Sequence, residues 1–182
     1  MAKNSAGFST PEVAHAAGLS VRQVAYWTVA RLVVPSVADP TGTGNHRRYS
    51  LPDVLAFSVL GAMREHGVSL QSLRVVQRYL RSQKGAQLQD LHARLVWAPG
   101  NKRYSRDVAL IHSDSEIVSL LTEPGQRIAP VVVNVGELYQ QVRERIEEIR
   151  STRKAKVTEQ TKQRAEAKRG TDVQRRRSVR AA

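Results

Sequence analysis

The 182 residues contain no cysteine, which excludes disulfides, thiolate metal sites and cysteine nucleophiles together and fits an intracellular protein. Long apolar runs are missing too. No stretch approaches eighteen uninterrupted apolar residues, so no membrane span is expected. The opening MAKNSAGFSTPEVA lacks the apolar core of a secretory signal, and the expected location is the cytoplasm. Acidic side chains are in short supply, 16 against 29 Lys and Arg, leaving a net charge of +13.

That surplus is unevenly spread. Residues 1–82 carry 9 basic and 4 acidic side chains, residues 83–149 carry 8 and 9, and residues 150–182 carry 12 and 3. The local balances are therefore +5, −1 and +9. A sequence pI near 10.9 points to a polyanionic partner, above all nucleic acid. Charge by itself gives attraction without sequence selectivity, because phosphates are the same everywhere on a duplex.

The first eighty residues are rich in helix punctuation. STPE at 9–12 offers Ser9 or Thr10 as N-cap, with Pro11 in the first turn and Glu12 reaching back. SVRQ at 20–23 and SLPD at 50–53 repeat the pattern, and Ser69 heads a fourth run. Four helices follow, over about 11–17, 21–29, 52–65 and 70–82. The first two are short and joined through AGLS, a helix-turn-helix pattern with Val13, Ala17, Leu19 and Val24 as shared core. Val54, Leu55, Val59, Leu60 and Met63 make the core stripe of the third helix, and Leu70, Leu73, Val76 and Leu80 that of the fourth. Between the pairs, VVPSVADPTGTGNHRRYS reads as two extended segments around a reversal, with Gly42, Gly44 and Asn45 able to take positive φ.

Beyond Lys84 the texture changes. Strands are expected at 93–99, 107–113 and 129–135, with helices at 114–126 and 136–149, forming a small α+β unit. Leu138, Val142 and Ile146 or Ile149 share one face of the last helix, which serves either for pairing with a second copy or for covering the unit's own sheet. From Arg150 apolar residues thin out. The first half of this tail extends the preceding helix and the last dozen residues are expected to lack regular structure. The tail either aids solubility or lies along DNA as an arm, and its charge favours the arm.

The stretches FSTPEVAHAAGLSVRQVAYW, LVVPSV, RRYSLPDV and REHGVSLQSLR, in that order and spacing, resemble the DNA-binding domain of the MerR family of bacterial transcription regulators. The resemblance covers residues 8–81. It implies a winged helix-turn-helix over residues 1–82 and stops after the fourth helix; with the α+β unit over 83–149 and the basic tail over 150–182, the expected fold is mostly α. It also implies a homodimer on double-stranded DNA, with the second helix in the major groove and the wing on the phosphate backbone. The implied contact set is Thr10, Ser20, Arg22, Gln23 and Tyr26 on the helices, and His46, Arg47, Arg48 and Tyr49 on the wing. Physically, Arg22 and Gln23 are long donors at the first turn of the recognition helix, and the free amides beside Ser20 suit a phosphate. Tyr26 resembles the family tyrosine that bonds backbone phosphate, whereas Trp27 is expected in the core. His46 sits at the wing tip, where protonation would add charge.

Two positions depart from the family pattern. Ala25 stands where the family usually has Arg, and Arg31 where it usually has Gly, so a side chain occupies an expected left-handed turn. Arg74 and Arg78 lie one turn apart on the fourth helix and read as its solvent face. The five histidines, at 15, 46, 66, 92 and 112, lack ligand spacing, so neither a metal nor any other cofactor is expected. His112, Asp107, Ser113 and Asp114 are neighbours in sequence, but adjacent strand residues face opposite ways and do not assemble a triad. No enzyme is expected. The neutral unit is left for dimerisation, a small effector or a protein partner. Alongside a sequence-specific regulator stand two alternatives: an architectural DNA binder of phage or plasmid recombination or segregation, and an antitoxin-like DNA-binding interaction protein.

Overall fold

A computed structural model describes residues 7–39, 46–83, 88, 90–99, 107–121 and 130–180. Gly42, Gly44 and Asn45 of the wing reversal lie outside the described residues, as do the turn at 100–106 and the stop at Pro124 and Gly125.

Four helices open the chain: α1 (Thr10–Ala17), α2 (Val21–Val29), α3 (Leu51–Glu65) and α4 (Leu70–Ser82). Their starts follow from local chemistry. The Glu12 carboxylate accepts the Ser9 amide at 2.8 Å and its hydroxyl at 2.7 Å, making Ser9 rather than Thr10 the N-cap. Ser20 and Gln23 close a second box, and Ser50 and Asp53 a third. At Ser69 the hydroxyl accepts the Ser72 amide at 3.1 Å. Each cap is worth about 1 kcal/mol. Gly18 ends α1 at φ 72°, the left-handed geometry that suits glycine.

The expected stripes form most of the core, with Leu19 and Leu70 half-buried at its margin. Val13, Val24, Val54, Val59, Leu60, Met63, Leu73 and Val76 are fully buried, and Trp27 stacks on Phe57 with ring centroids 6.2 Å apart. The wing contributes less regular structure than two strands would. Among the described residues it is held by isolated antiparallel bridges, Ala38 with Arg48 and Phe8 with Tyr49.

Three short strands follow: β1 (Arg94–Trp97), β2 (Val108–Ile111) and β3 (Val131–Asn134). They form an antiparallel sheet in the order β2-β1-β3, with Leu95 opposite both Leu110 and Val133. One face buries Val96, Ala109 and Ile111, against which Ile117 of α5 (Asp114–Leu121) packs. β3 and β2 make contacts with α3 and α4. The Tyr79 hydroxyl of α4 accepts the Leu110 amide of β2 at 2.8 Å.

The last helix, α6, runs Val135–Arg180. Val142, Ile146 and Ile149 are buried as the expected stripe requires, together with Tyr139, while Leu138 is half-buried. The helix continues through 171–180, where no regular structure was expected. Four arginines and a glutamine, all good helix formers, make up half of that run and no proline interrupts it, so the helix continues without an apolar stripe. The chain divides into two compact units, Met1–Arg145 and Ile146–Ala182. The sheet thus shares a unit with the first four helices, and the division falls within α6. No described helix is long and apolar enough to cross a membrane.

Candidate nucleic-acid interface

Helix α2 is sharply two-faced. Val24, Trp27 and Thr28 are buried, while Val21, Arg22, Gln23, Tyr26 and Val29 are exposed. Tyr26, at 55% exposure, is therefore outside and Trp27 inside, as the sequence indicates. Ser20 is exposed at the amino-terminal end, and Thr10 is half-buried at the start of α1. Gln23 is exposed but occupied: its Oε1 accepts the Ser20 amide at 2.9 Å and the Ser20 hydroxyl at 2.7 Å. Only its amide nitrogen is left to donate elsewhere. Arg22 is the long donor of this turn whose side chain is not drawn into the cap.

In the wing, His46 is exposed and Arg47 and Arg48 are half-buried. The expectation for Tyr49 is corrected. Its ring is fully buried, edge-on to Phe57 at 5.6 Å, and its hydroxyl lies 2.9 Å from Thr28 Oγ1. The single hydroxyl hydrogen of Thr28 goes to the Val24 carbonyl at 2.8 Å, so Tyr49 donates to Thr28. A phenol so placed has no hydrogen left for a phosphate. Tyr49 instead pins the wing to the buried face of α2.

The exposed side of the same joint was not legible in the sequence. Asp39 lies between two cations, with Oδ2 3.4 Å from Arg31 Nη1 and Oδ1 3.5 Å from Arg47 Nε. Arg31 lies one residue beyond the C-cap Ala30 of α2 and holds φ at 57°, so the left-handed turn forms despite its side chain, at about 1 kcal/mol. An exposed pair offsets little of that. Arg31, Asp39 and Arg47 thus join the carboxyl end of α2 to the wing. The two other free ends of this region are held by α4. Arg74 donates to the Ala30 carbonyl at 2.9 Å and Arg81 to the Val34 carbonyl at 3.4 Å. The i, i+7 spacing of these arginines was the available signal; Arg74 is on the solvent face, as expected, and also holds the Ala30 carbonyl.

Away from this face, His112 pairs with a residue distant in sequence. Its Nδ1 lies 2.8 Å from Asp90 Oδ2, and the Ser113 hydroxyl pairs with that of Ser115. Asp90 also accepts the His92 amide at 2.9 Å. That amide bond first, and the His112 bond second, hold the Asp90 carboxyl below its ordinary value. Among the described residues no three His, Asp or Glu side chains are grouped to hold a metal ion.

Residues 8–83 match the family model described as MerR HTH family regulatory protein. Proteins of Mycobacterium bovis and of two strains of Mycobacterium tuberculosis, each described as an uncharacterized HTH-type transcriptional regulator, are 33% identical to this chain over 128 residues. That alignment takes in 70% of this chain and 53% of each relative, so the chain spans about half the length of the curated relatives it matches.

Proposed function

Because residues 8–83 are a MerR-type helix-turn-helix regulatory domain, we propose that the chain is a sequence-selective, DNA-binding transcription regulator that works as a homodimer on double-stranded DNA in the cytoplasm. The observation that carries this is the solvent face of α2, with Arg22 and Tyr26 outward, joined through Arg31, Asp39 and Arg47 to a basic wing. In this reading α2 enters the major groove. Arg22 reads a base edge, with the amide of Gln23 beside it, and Ser20 with its free amides meets phosphate. Tyr26 donates its hydroxyl to the backbone, and Thr10, His46, Arg47 and Arg48 fix register on the adjoining strand. Tyr49 acts from inside, by holding the wing at its station. The neutral segment at 83–149 is the place for a protein partner or small effector, and the regulation is exerted by binding rather than by catalysis.

Selection of genomic fragments, followed by footprinting and affinity measurements over a salt series, tests the reading. One short palindromic site is expected. Several tandem sites with strong bending would point to an architectural protein instead. Arg22→Ala should flatten base preference at one position, a loss of about 1–3 kcal/mol for the preferred base. Arg47→Ala should weaken all sequences alike and reduce the salt slope by about one. Equal, sequence-independent losses from both variants would remove Arg22 as a base reader.

A further inference from the structure

Four large hydrophobic side chains are exposed among the described residues of 7–83, and three of them are on α2: Val21 at 50%, Tyr26 at 55% and Val29 at 68%. Singly exposed apolar residues are ordinary and carry no meaning. These are not scattered. Val21, Ala25 and Val29 stand at i, i+4 and i+8, so successive members lie about 6 Å apart along one line of the helix. Ala25 is half-buried and carries no polar group, and no cation takes its place in the line. The result is an apolar ridge along the solvent face of a nine-residue helix whose opposite face is already spent on the core.

The surroundings of the ridge select its occupant. Arg22 and Tyr26 flank it on one side, and beyond its carboxyl end stand Arg31 and the Arg47 wing. An apolar line inside a cationic frame complements a groove whose floor is apolar in places and whose rims are anionic. The major groove of DNA has that composition wherever thymines present their C5-methyl groups. A membrane surface would call for a broader apolar face, and an acidic protein would leave the ridge uncovered.

We propose that Val21, Ala25 and Val29 form a thymine-methyl reader, so that the operator carries thymines at the positions facing this ridge, beside the base read by Arg22. The proposal rests on the duplex-binding function given above. Base choice at these positions then comes from removing methyl and valine surface from water, not from hydrogen bonds, and is insensitive to salt.

Deoxyuridine differs from thymidine only by the missing methyl, and it supplies the test. With the full chain and its selected site, thymines are replaced by deoxyuridine one at a time. Affinity should fall about fourfold at one or two thymines per half-site and be unchanged elsewhere. Val21→Ser and Val29→Ser, both at exposed positions and checked for unchanged thermal unfolding, should each abolish the deoxyuridine effect at one thymine. Tight, sequence-selective binding that is indifferent to deoxyuridine at every position would overturn the proposal while leaving the DNA-binding function intact. A deoxyuridine effect that survives when Val21→Ser and Val29→Ser are combined would also overturn it, since another group would then read the methyl. Absence of any duplex preference would remove both.

Discussion

Arg31 shows how much one position can carry. Its φ of 57° is a geometry that a β-carbon disfavours, and its guanidinium reaches Asp39 at 3.4 Å across an exposed pair. Replacing it with glycine removes about 1–2 kcal/mol of backbone strain and adds about 0.5–1 kcal/mol of unfolded-state freedom. Arg31→Gly should therefore stabilise the fold by about 0.5–1 kcal/mol, read as a higher urea midpoint with an unchanged slope. If the midpoint falls instead, the ion pair outweighs the strain. Tyr49 makes a different point at the same scale. A tyrosine directly after two arginines reads equally well as a contact or as core, because the bridged segment is too short to display alternation. Only the partners, Thr28 below and Phe57 beside it, decide. Asp39 was equally hidden, since a carboxylate answers charges that are distant in sequence and near in space.

At the level of elements, legibility followed the strength of the local signal. Capping residues and apolar spacing located α1 to α4 within a residue or so, and three apolar runs located the strands, whose paired portions are shorter than the runs themselves. Sheet order was not legible, because period-two runs carry no record of which neighbour they pair with. Nor was the reach of α6, where the apolar stripe ends near Ile149 but the helix does not. The start of α6 depends on a close approach. A β-carbon at Gly136 would lie 2.4 Å from the Asp90 carbonyl oxygen and 2.6 Å from the Leu91 backbone, neither of which is a flexible side-chain end. The Val135 and Gly136 amides both reach the Ala93 carbonyl there, at 3.0 and 3.3 Å. Gly136→Ala should cost about 1–3 kcal/mol by forcing these backbones apart. Thermal unfolding of the variant measures it, and a neutral result would mean that the segment at 90–93 yields freely.

For the molecule as a whole, charge is concentrated in two stretches. Arg22, Arg31, Arg47 and Arg48 of the first stretch stand on or beside α2 and the wing, whereas the +9 of residues 150–182 is carried on helix α6 through Arg180. Residues 150–161 are exposed apart from the half-buried Arg153. If the tail serves as an arm along DNA, its contribution is to affinity without sequence preference. Replacing Arg175, Arg176 and Arg177 with glutamine in the full chain should then lower the salt slope by up to about 2.7, with the order of preferred sites unchanged. An unchanged slope would assign the tail to solubility. A loss of site preference would give it a part in recognition.

The phenol of Tyr79 has a consequence for self-association. By occupying the Leu110 amide, it closes one rung on the flank of β2 that faces away from β1. A strand so stoppered is a poor template for a neighbouring chain, so copies are discouraged from polymerising through that margin. The hydroxyl thus fills one place on a strand margin as well as bracing a helix against a sheet.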